Sequence, residues 1–260
     1  MRSQISTIQK LLQMSLMRSA SFSSDFIFGI LSAVLWLGIP IVFFKMIYLN
    51  VDTIAGWSWY QTLLLVGIYT MVDGLMMTFL VQNLPTLEHD IREGQLDSIL
   101  LKPIDTQLYY FFYAVDFTQL VNFIFGLTVT IYALIHLSIN WLYLPIALLC
   151  MLAGCILYYA IWFLWTITVF WLPTNFGRSD LFLSVIQMGR YPNTIYRGFG
   201  KLLFLVILPV GMIATPTALA LLGRLTWFGF LGVIVLTLVS LVLSRLVWLC
   251  GLRRYDGAGR

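Results

Sequence analysis

Charged residues are scarce in this sequence. Asp, Glu, Lys and Arg make up 10% of its 260 residues, whereas a soluble domain carries about 25%. Because a soluble fold covers its surface with polar groups, this deficit excludes an ordinary aqueous domain. The remaining sequence is 60% hydrophobic and falls into apolar blocks of ~20 residues or more, the helical length that crosses a bilayer core of ~30 Å. The sequence therefore predicts an integral membrane protein.

Motifs for energy conversion and covalent chemistry are also lacking. The chain has no Gly-x-x-x-x-Gly-Lys-Ser/Thr phosphate-binding loop, and residues 198–201 only resemble one. His89 and His136 have no metal-ligand neighbours, and the three Cys lie in or beside apolar blocks without metal-ligand spacing. We therefore expect no catalytic residue, no metal and no cofactor on this chain. Basic residues beside apolar blocks indicate membrane orientation and not nucleic-acid binding.

Six apolar blocks predict six transmembrane helices in one permease domain, residues 25–252. The fold class that we expect is all-α, with no separate soluble domain. The blocks are residues 25–49, 57–81, 109–137, 141–171, 202–222 and 227–249.

Residues 1–24 precede the first block and differ from it. Ile5, Ile8, Leu12 and Leu16 recur every three or four positions, while basic residues lie elsewhere around the helix. This pattern predicts an amphipathic helix in the membrane interface, followed by a polar break. The alternative is a disordered cytosolic tail.

Basic residues indicate the orientation. Of the 15 Lys and Arg, twelve fall in the N-terminal segment, in the connections 82–108 and 172–201, and in the tail 253–260. The short connections hold only Arg224. Since cytoplasmic loops carry an excess of Lys and Arg, we expect both termini and both long connections in the cytoplasm.

The connection 82–108 carries a charged run and then an apolar pattern. A glycine separates the two and is expected to break or cap a short helix. The pattern predicts an amphipathic surface element suited to docking on another protein, with a solvated loop as the alternative. The residues concerned are Glu88, Asp90, Arg92, Glu93, Gly94, Leu96 and Asp97.

Residues 91–103, IREGQLDSILLKP, resemble the cytoplasmic loop of type-2 ABC permeases, and more narrowly that of six-span ABC-type export permeases. Residues 189–196, followed by Pro209 and by residues 216–223, and the tail 251–259 are similar to the same group. The resemblance covers nearly the whole chain. One departure is Asp256, where a small polar residue is expected.

The resemblance implies a function. The loop around Gly94 would be a coupling helix that rests in a groove of an ABC ATPase subunit, and ATP and Mg²⁺ would bind to that partner. Two ATPase subunits, a second permease chain that is identical or homologous, and membrane lipid are the implied partners. The implied role is export of an amphipathic or hydrophobic substrate across the bacterial inner membrane. An ion-gradient-driven transporter, a lipid-modifying membrane enzyme and a non-transporting scaffold are the alternatives.

Three ionisable residues lie at a similar depth inside predicted spans. Asp73, Asp116 and Arg245 are each about eight residues from the cytoplasmic end, or ~12 Å. Because an isolated charge in a bilayer is costly, we expect Arg245 to pair with Asp73 or Asp116. The other carboxylate would meet polar groups such as Gln119 or Asn122. A proton or substrate site, or an unpaired Arg245 reaching the headgroups, is the alternative.

The later part of the chain predicts two further features. Residues 179–188, with Phe182 and Ile186 on one apolar face, predict a helix along the inner interface or an extension of the fourth span. Pro209, Gly211 and Pro216 should bend the fifth span. It would either cross with a kink or end early and return as a short outer helix, which makes it a candidate outer gate. A tolerated proline kink is the simpler reading.

Overall fold

The computed structural model describes residues 2–19, 23–139, 141–172 and 177–255, with side chains except those of residues 2–7, 16, 18–19 and 23–28. Across these ranges the chain forms helices joined by short 3₁₀ and π segments, and the prediction of an all-α membrane protein is confirmed. The α-helices are α1 (Arg2–Ser19), α2 (Ser23–Tyr48), α3 (Trp59–Leu80), α4 (Asn83–Arg92), α5 (Leu96–Leu100), α6 (Thr106–Phe112), α7 (Leu120–Ile135), α8 (Leu144–Ile167), α9 (Arg178–Ile186), α10 (Gly198–Leu202), α11 (Thr215–Leu221) and α12 (Trp227–Leu252).

Five helical stretches in the described residues are long and apolar enough to cross a membrane. A bent pair of segments, Gly198–Ile207 and Val210–Leu221, meets the same test when it is taken together, with an angle of 67° between its halves. The five stretches are Gly29–Tyr48, Trp59–Arg92, Phe117–Ile135, Trp141–Phe170 and Trp227–Leu252.

Helix α3 lies at the centre of the bundle, where most of its residues are buried. Its close packing on α7 depends on glycine. A Cβ added to Gly74 would lie 2.5 Å from the Phe123 backbone nitrogen, and one on Gly126 would lie 2.6 Å from that of Met71. Small residues let membrane helices approach closely and gain van der Waals contact. Helices α2, α7 and α12, by contrast, expose long apolar faces.

Helix α4 continues the course of α3. Trp59–Arg92 forms one helical stretch of 34 residues, so α4 projects from the end of the central helix. Helix α1 lies at the same end, because the Val115 amide donates to the Ser15 hydroxyl at 3.1 Å. Ile8 packs against the core there. The side chains of Ile5 and Leu16 are not among those that the structure describes.

The predicted block 109–137 is not one continuous helix. Helix α6 ends at Phe112, and the next membrane-length stretch begins only at Phe117. In between, the Asp116 amide donates to the Thr78 carbonyl at 2.9 Å, and the Asp116 side chain accepts from the Thr118 amide as an N-cap. A carboxylate at a helix start satisfies exposed amides. Asp116 therefore caps the helical stretch that begins at Phe117 and does not lie within a span.

The two long connections were expected on the same side of the membrane, but the described part of 172–201 does not stay at the end of the bundle where α4 lies. Arg178, at one end, forms an ion pair with Glu88 of α4. Thr194, at the other, donates to the Ala55 carbonyl at 3.1 Å, and Ala55 lies in the α2–α3 connection at the opposite end of the bundle. Residues 178–194 therefore run along α3 from one end of the bundle to the other, and Phe182 and Ile186 are buried in the core on the way.

The bent pair enters the bundle, turns near its middle and leaves at the end from which it came. Gly189 faces the Val210 carbonyl, which places the bend beside the centre of α3, where Gly189 also contacts the Tyr69 ring. Beyond α11, Arg224 donates to Gln61 near the start of α3 at 3.3 Å. Helix α11 thus ends at the same end of the bundle as the α2–α3 connection.

Candidate coupling surface and buried charge cluster

The end of α4 is set by Gly94. This residue has φ +71°, a left-handed conformation that costs glycine little. The Gln95 amide donates to the Asp90 carbonyl at 2.9 Å, which is the six-to-one bond of a Schellman cap. The cap reverses the chain sharply, so that α5 folds back beside α4 as a compact unit.

This α4–α5 unit has two distinct faces. Leu87, Ile91 and Leu96 are buried in the main core. The opposite face is exposed to solvent and is polar except at its tip, where Leu101 is 88% exposed. The exposed residues are Pro85, His89, Arg92, Glu93, Gln95, Asp97, Ser98, Leu100 and Leu101. Of the predicted docking residues, Arg92, Glu93 and Asp97 therefore face outward, whereas Glu88 and Leu96 are buried.

Glu88 binds two arginines. Its Oε1 lies 2.5 Å from Nη2 of Arg92 and 3.1 Å from Nη1 of Arg178. The Arg178 side chain is almost fully buried and also donates to the Leu172 carbonyl. Burial lowers the pKa of Arg178, and the Glu88 charge partly opposes that effect. Glu88 thus joins α4 to the start of α9.

Asp90 joins α4 to α6. Its carboxylate accepts a hydrogen bond from the Tyr110 hydroxyl at 2.6 Å. Burial, and then this bond, raise the pKa of Tyr110 well above its ordinary value. Burial also raises the pKa of Tyr255, and the nearby Asp97 charge adds to that effect. Tyr255 therefore lies near α5.

Asp73 is the centre of a buried cluster in the bundle. It is 3% exposed and accepts from the Tyr158 hydroxyl at 2.8 Å. The buried Arg190 guanidinium lies 5.4 Å from the Trp36 ring centre and 5.5 Å from that of Tyr69. A buried guanidinium between two aromatic faces gains cation–π attraction, and Asp73 is an opposite charge in the same cluster.

The predicted pairing of Arg245 is wrong. Arg245 forms an ion pair with Asp105, with Nη2 and Oδ2 2.9 Å apart, and donates to Gln107 at 2.8 Å. Asp73 is turned towards Tyr158, and Asp116 accepts from Thr118 and from Gln119 at 3.4 Å. The predicted contact between Asp116 and Gln119 is therefore present, but Asp105 is the partner of Arg245.

The bend at Pro209 is enclosed by protein. Pro209, Gly211 and Pro216 are all buried, as a broken helix in a membrane requires. The π-type bond from the Leu208 amide to the Leu203 carbonyl, 2.7 Å, satisfies part of the interrupted backbone. The Ile213 carbonyl lies directly against Gly154 of α8. The backbone beside the bend thus contacts α8 at Gly154, which has no side chain to keep it away.

The family of the chain follows from a comparison of its sequence with family models. The model described as "ABC-2 family transporter protein" matches residues 34–259. The chain belongs to the ABC-2 transporter family. No curated protein and no solved structure matches it. The resemblance to type-2 ABC permeases is thereby confirmed, and ABC-2 membrane proteins are membrane subunits that partner ABC ATPases.

Two residues that matter in this ABC-2 protein were not predicted from its sequence. Arg178 and Arg190 were counted as loop residues, yet both are buried. A signal for Arg190 was present, since Gly189-Arg190-Tyr191-Pro192 follows an apolar helical pattern and an aromatic cluster flanks it. Its partners Trp36, Tyr69 and Asp73 lie more than 100 residues away in sequence, so no local pattern identifies them.

Proposed function

We propose that this chain is the permease subunit of an ATP-driven exporter. In this proposal the α4–α5 unit is the coupling element, and it docks on a separate ABC ATPase that binds ATP and Mg²⁺. The observation that carries the proposal is the exposed polar face of that unit together with its connection to α3 through the single turn at residues 81–82. A partner that moves α4 also moves the central helix.

The division of the docking residues supports this role. Arg92, Glu93 and Asp97 present charges to a partner, and Leu101 offers an exposed apolar contact. Behind them, Glu88 is fixed by Arg178 and Leu96 is buried in the core. We propose that the outer set binds the ATPase and that the inner set passes its motion to α3 and α9.

The proposed docking of α4 and α5 on an ATPase also sets the membrane orientation. We propose that α1, α4, α5 and the C-terminal tail lie in the cytoplasm of a bacterial cell and that the protein spans its inner membrane. Residues 178–195 then cross to the outer face, and Gly198–Ile207 with Val210–Leu221 re-enter from that face as a hairpin. The contact between Thr194 and Ala55 supports this arrangement.

We further propose that two permease chains, identical or homologous, work with two ATPase subunits. ATP binding would close the ATPases, displace α4 and α3, and open a cavity between the permeases to the outside. The hairpin bend around Pro209, Gly211 and Pro216 would act as the outer gate. The exposed apolar faces of α2 and α7 fit an amphipathic or hydrophobic substrate.

The experiment is affinity purification of the tagged chain from its native membranes, with ATP hydrolysis and protein identification as readouts. Asp97→Arg and Leu101→Asp should reduce recovery of the ATPase about tenfold or more. Asp52→Arg is the matched control, because Asp52 is exposed at the opposite end, and it should leave recovery unchanged. Equal recovery from all variants, or no ATPase with the wild type, contradicts the proposal. Transport that survives ATP depletion but stops with the ion gradient would favour the gradient-driven alternative.

A further inference from the structure

A separate cleft opens on the flank of the bundle, between α3, α6, α8 and α12. Its volume is about 530 Å³, within the range of ~300–1,000 Å³ typical of small-molecule sites. Aliphatic, aromatic and sulfur-containing side chains line it, apart from Asp105 and Gln107. Phe79 and Phe111 stack at 4.8 Å to form one wall, and Leu152 and Ile156 of α8 form the other.

The two polar residues lie at one end of the cleft beside Arg245. Arg245 pairs with Asp105 and donates to Gln107, and the side chains of Arg245 and Asp105 are 46% and 32% exposed. Asp105 is held in place because its Oδ1 caps α6 by accepting from the Gln107 and Leu108 amides. The cleft therefore presents one fixed anion and one fixed cation at the edge of an apolar channel.

We infer that this cleft binds a zwitterionic phospholipid. An acyl chain would fill the apolar channel, the phosphate would bind the Arg245 guanidinium, and the headgroup ammonium would bind the Asp105 carboxylate. The two described bonds of Arg245 use only two of the five N–H donors that a guanidinium has, so phosphate has donors to accept from. An anionic headgroup has no ammonium group to bind the Asp105 carboxylate, so the site favours a zwitterionic lipid. The inference concerns a bound lipid and does not depend on the transport function.

The location of the cleft supports a lipid as occupant. Leu108 and Leu152 at its margins are 45% and 59% exposed, so the cleft opens on the outer flank of the bundle. Its walls offer water few polar partners, and an empty apolar space forfeits dispersion contacts. A lipid chain from the bilayer supplies those contacts, and the ion pair at the mouth selects the headgroup.

The test uses the purified full-length chain in nanodiscs that contain equal amounts of phosphatidylethanolamine and phosphatidylglycerol. After delipidation, native mass spectrometry counts the retained lipid. We expect one retained phosphatidylethanolamine per chain. Ile156→Trp should fill the cleft and abolish retention. Ile131→Trp is the matched control, since Ile131 is 50% exposed on α7, outside the cleft, and it should retain the lipid.

A second variant tests the headgroup without filling the cleft. Asp105→Asn keeps an N-cap residue but removes the anion, so it should shift the retained ratio towards phosphatidylglycerol by about tenfold, the effect of ~1.4 kcal/mol. Arg245→Gln should weaken retention of both lipids. An unchanged ratio in Asp105→Asn, or equal retention in Ile156→Trp, overturns the inference. The inference is also overturned if the delipidated protein is a dimer without bound lipid and Ile156→Trp dissociates that dimer. A second chain would then occupy the cleft.

Discussion

Arg178 and Glu88 lie 90 residues apart in sequence and form a buried ion pair, with Nη1 and Oε1 3.1 Å apart. The pair attaches the start of α9 to α4, and thereby joins two segments that the sequence presents as separate loops. Both side chains are less than a tenth exposed, so the pair is shielded from solvent. Its consequence is that the α4–α5 unit cannot shift without also moving α9.

The first prediction concerns this pair. Glu88→Gln should lower the free energy of unfolding by about 3 kcal/mol, because removing one partner leaves the buried Arg178 charge uncompensated. Thermal unfolding of the detergent-solubilised protein measures the change. Glu93→Gln, at an exposed position on the same unit, should change stability by less than ~0.5 kcal/mol. Similar effects of the two substitutions would contradict the structural role of Glu88.

A second prediction concerns Asp73 and Arg190. Asp73→Asn and Arg190→Met should each destabilise the protein by about 1–3 kcal/mol, because each removes one of two opposite charges buried in the same cluster. The double variant should lose less than the sum, with a coupling energy of at least ~1 kcal/mol. Asp105→Asn with Arg245→Gln is the control cycle. That pair is partly exposed, so its coupling should stay below ~1 kcal/mol. Additive losses at Asp73 and Arg190 would show that the two charges do not interact.

The third prediction is a dependence on pH. The pKa of Tyr110 is raised, so the folded state keeps a proton that the unfolded state loses above pH ~10. The stabilisation by Tyr110 is therefore complete below pH ~10 and is lost as pH rises above it. Tyr110→Phe should cost ~1.5–3 kcal/mol at neutral pH, the value of a hydrogen bond to a charged group. It should also flatten the loss of stability above pH ~10. Tyr113→Phe, at an exposed position, should leave the profile of unfolding against pH unchanged.

The fourth prediction concerns the contact beneath the bend. A methyl group at position 154 would meet the Ile213 carbonyl, so Gly154→Ala should destabilise the protein by ~1–3 kcal/mol as the backbone shifts. Gly38→Ala in α2 meets nothing within 4 Å and should be neutral or stabilising by up to ~1 kcal/mol. Thermal unfolding compares the two variants. A neutral Gly154→Ala would mean that the bend does not rest on α8.

Long apolar helices and local chain reversals could be predicted from the sequence, because their causes are local. Helices α3, α8 and α12 match apolar blocks closely, and Gly94 caps α4 where a glycine after a charged run indicated a helix end. These features depend on hydrophobic length and on backbone conformation. Neither requires knowledge of what lies across the bundle.

The charged residues could not be predicted in the same way. The expected pairing of Arg245 assumed that Asp116 lies inside a continuous helix, whereas the break after α6 places Asp116 at a helix start. Arg190 was counted in the connection 172–201, which lies between two apolar blocks. Its energy depends on Trp36, Tyr69 and Asp73, which only the tertiary structure brings together.

The course from α3 into α4, interrupted only by the turn at residues 81–82, gives the molecule a lever. A rod of 34 helical residues is ~51 Å long, so a tilt of roughly ten degrees about one end sweeps the other through about 9 Å. A small displacement at Arg92 would therefore displace Trp59, on the far face of the bilayer.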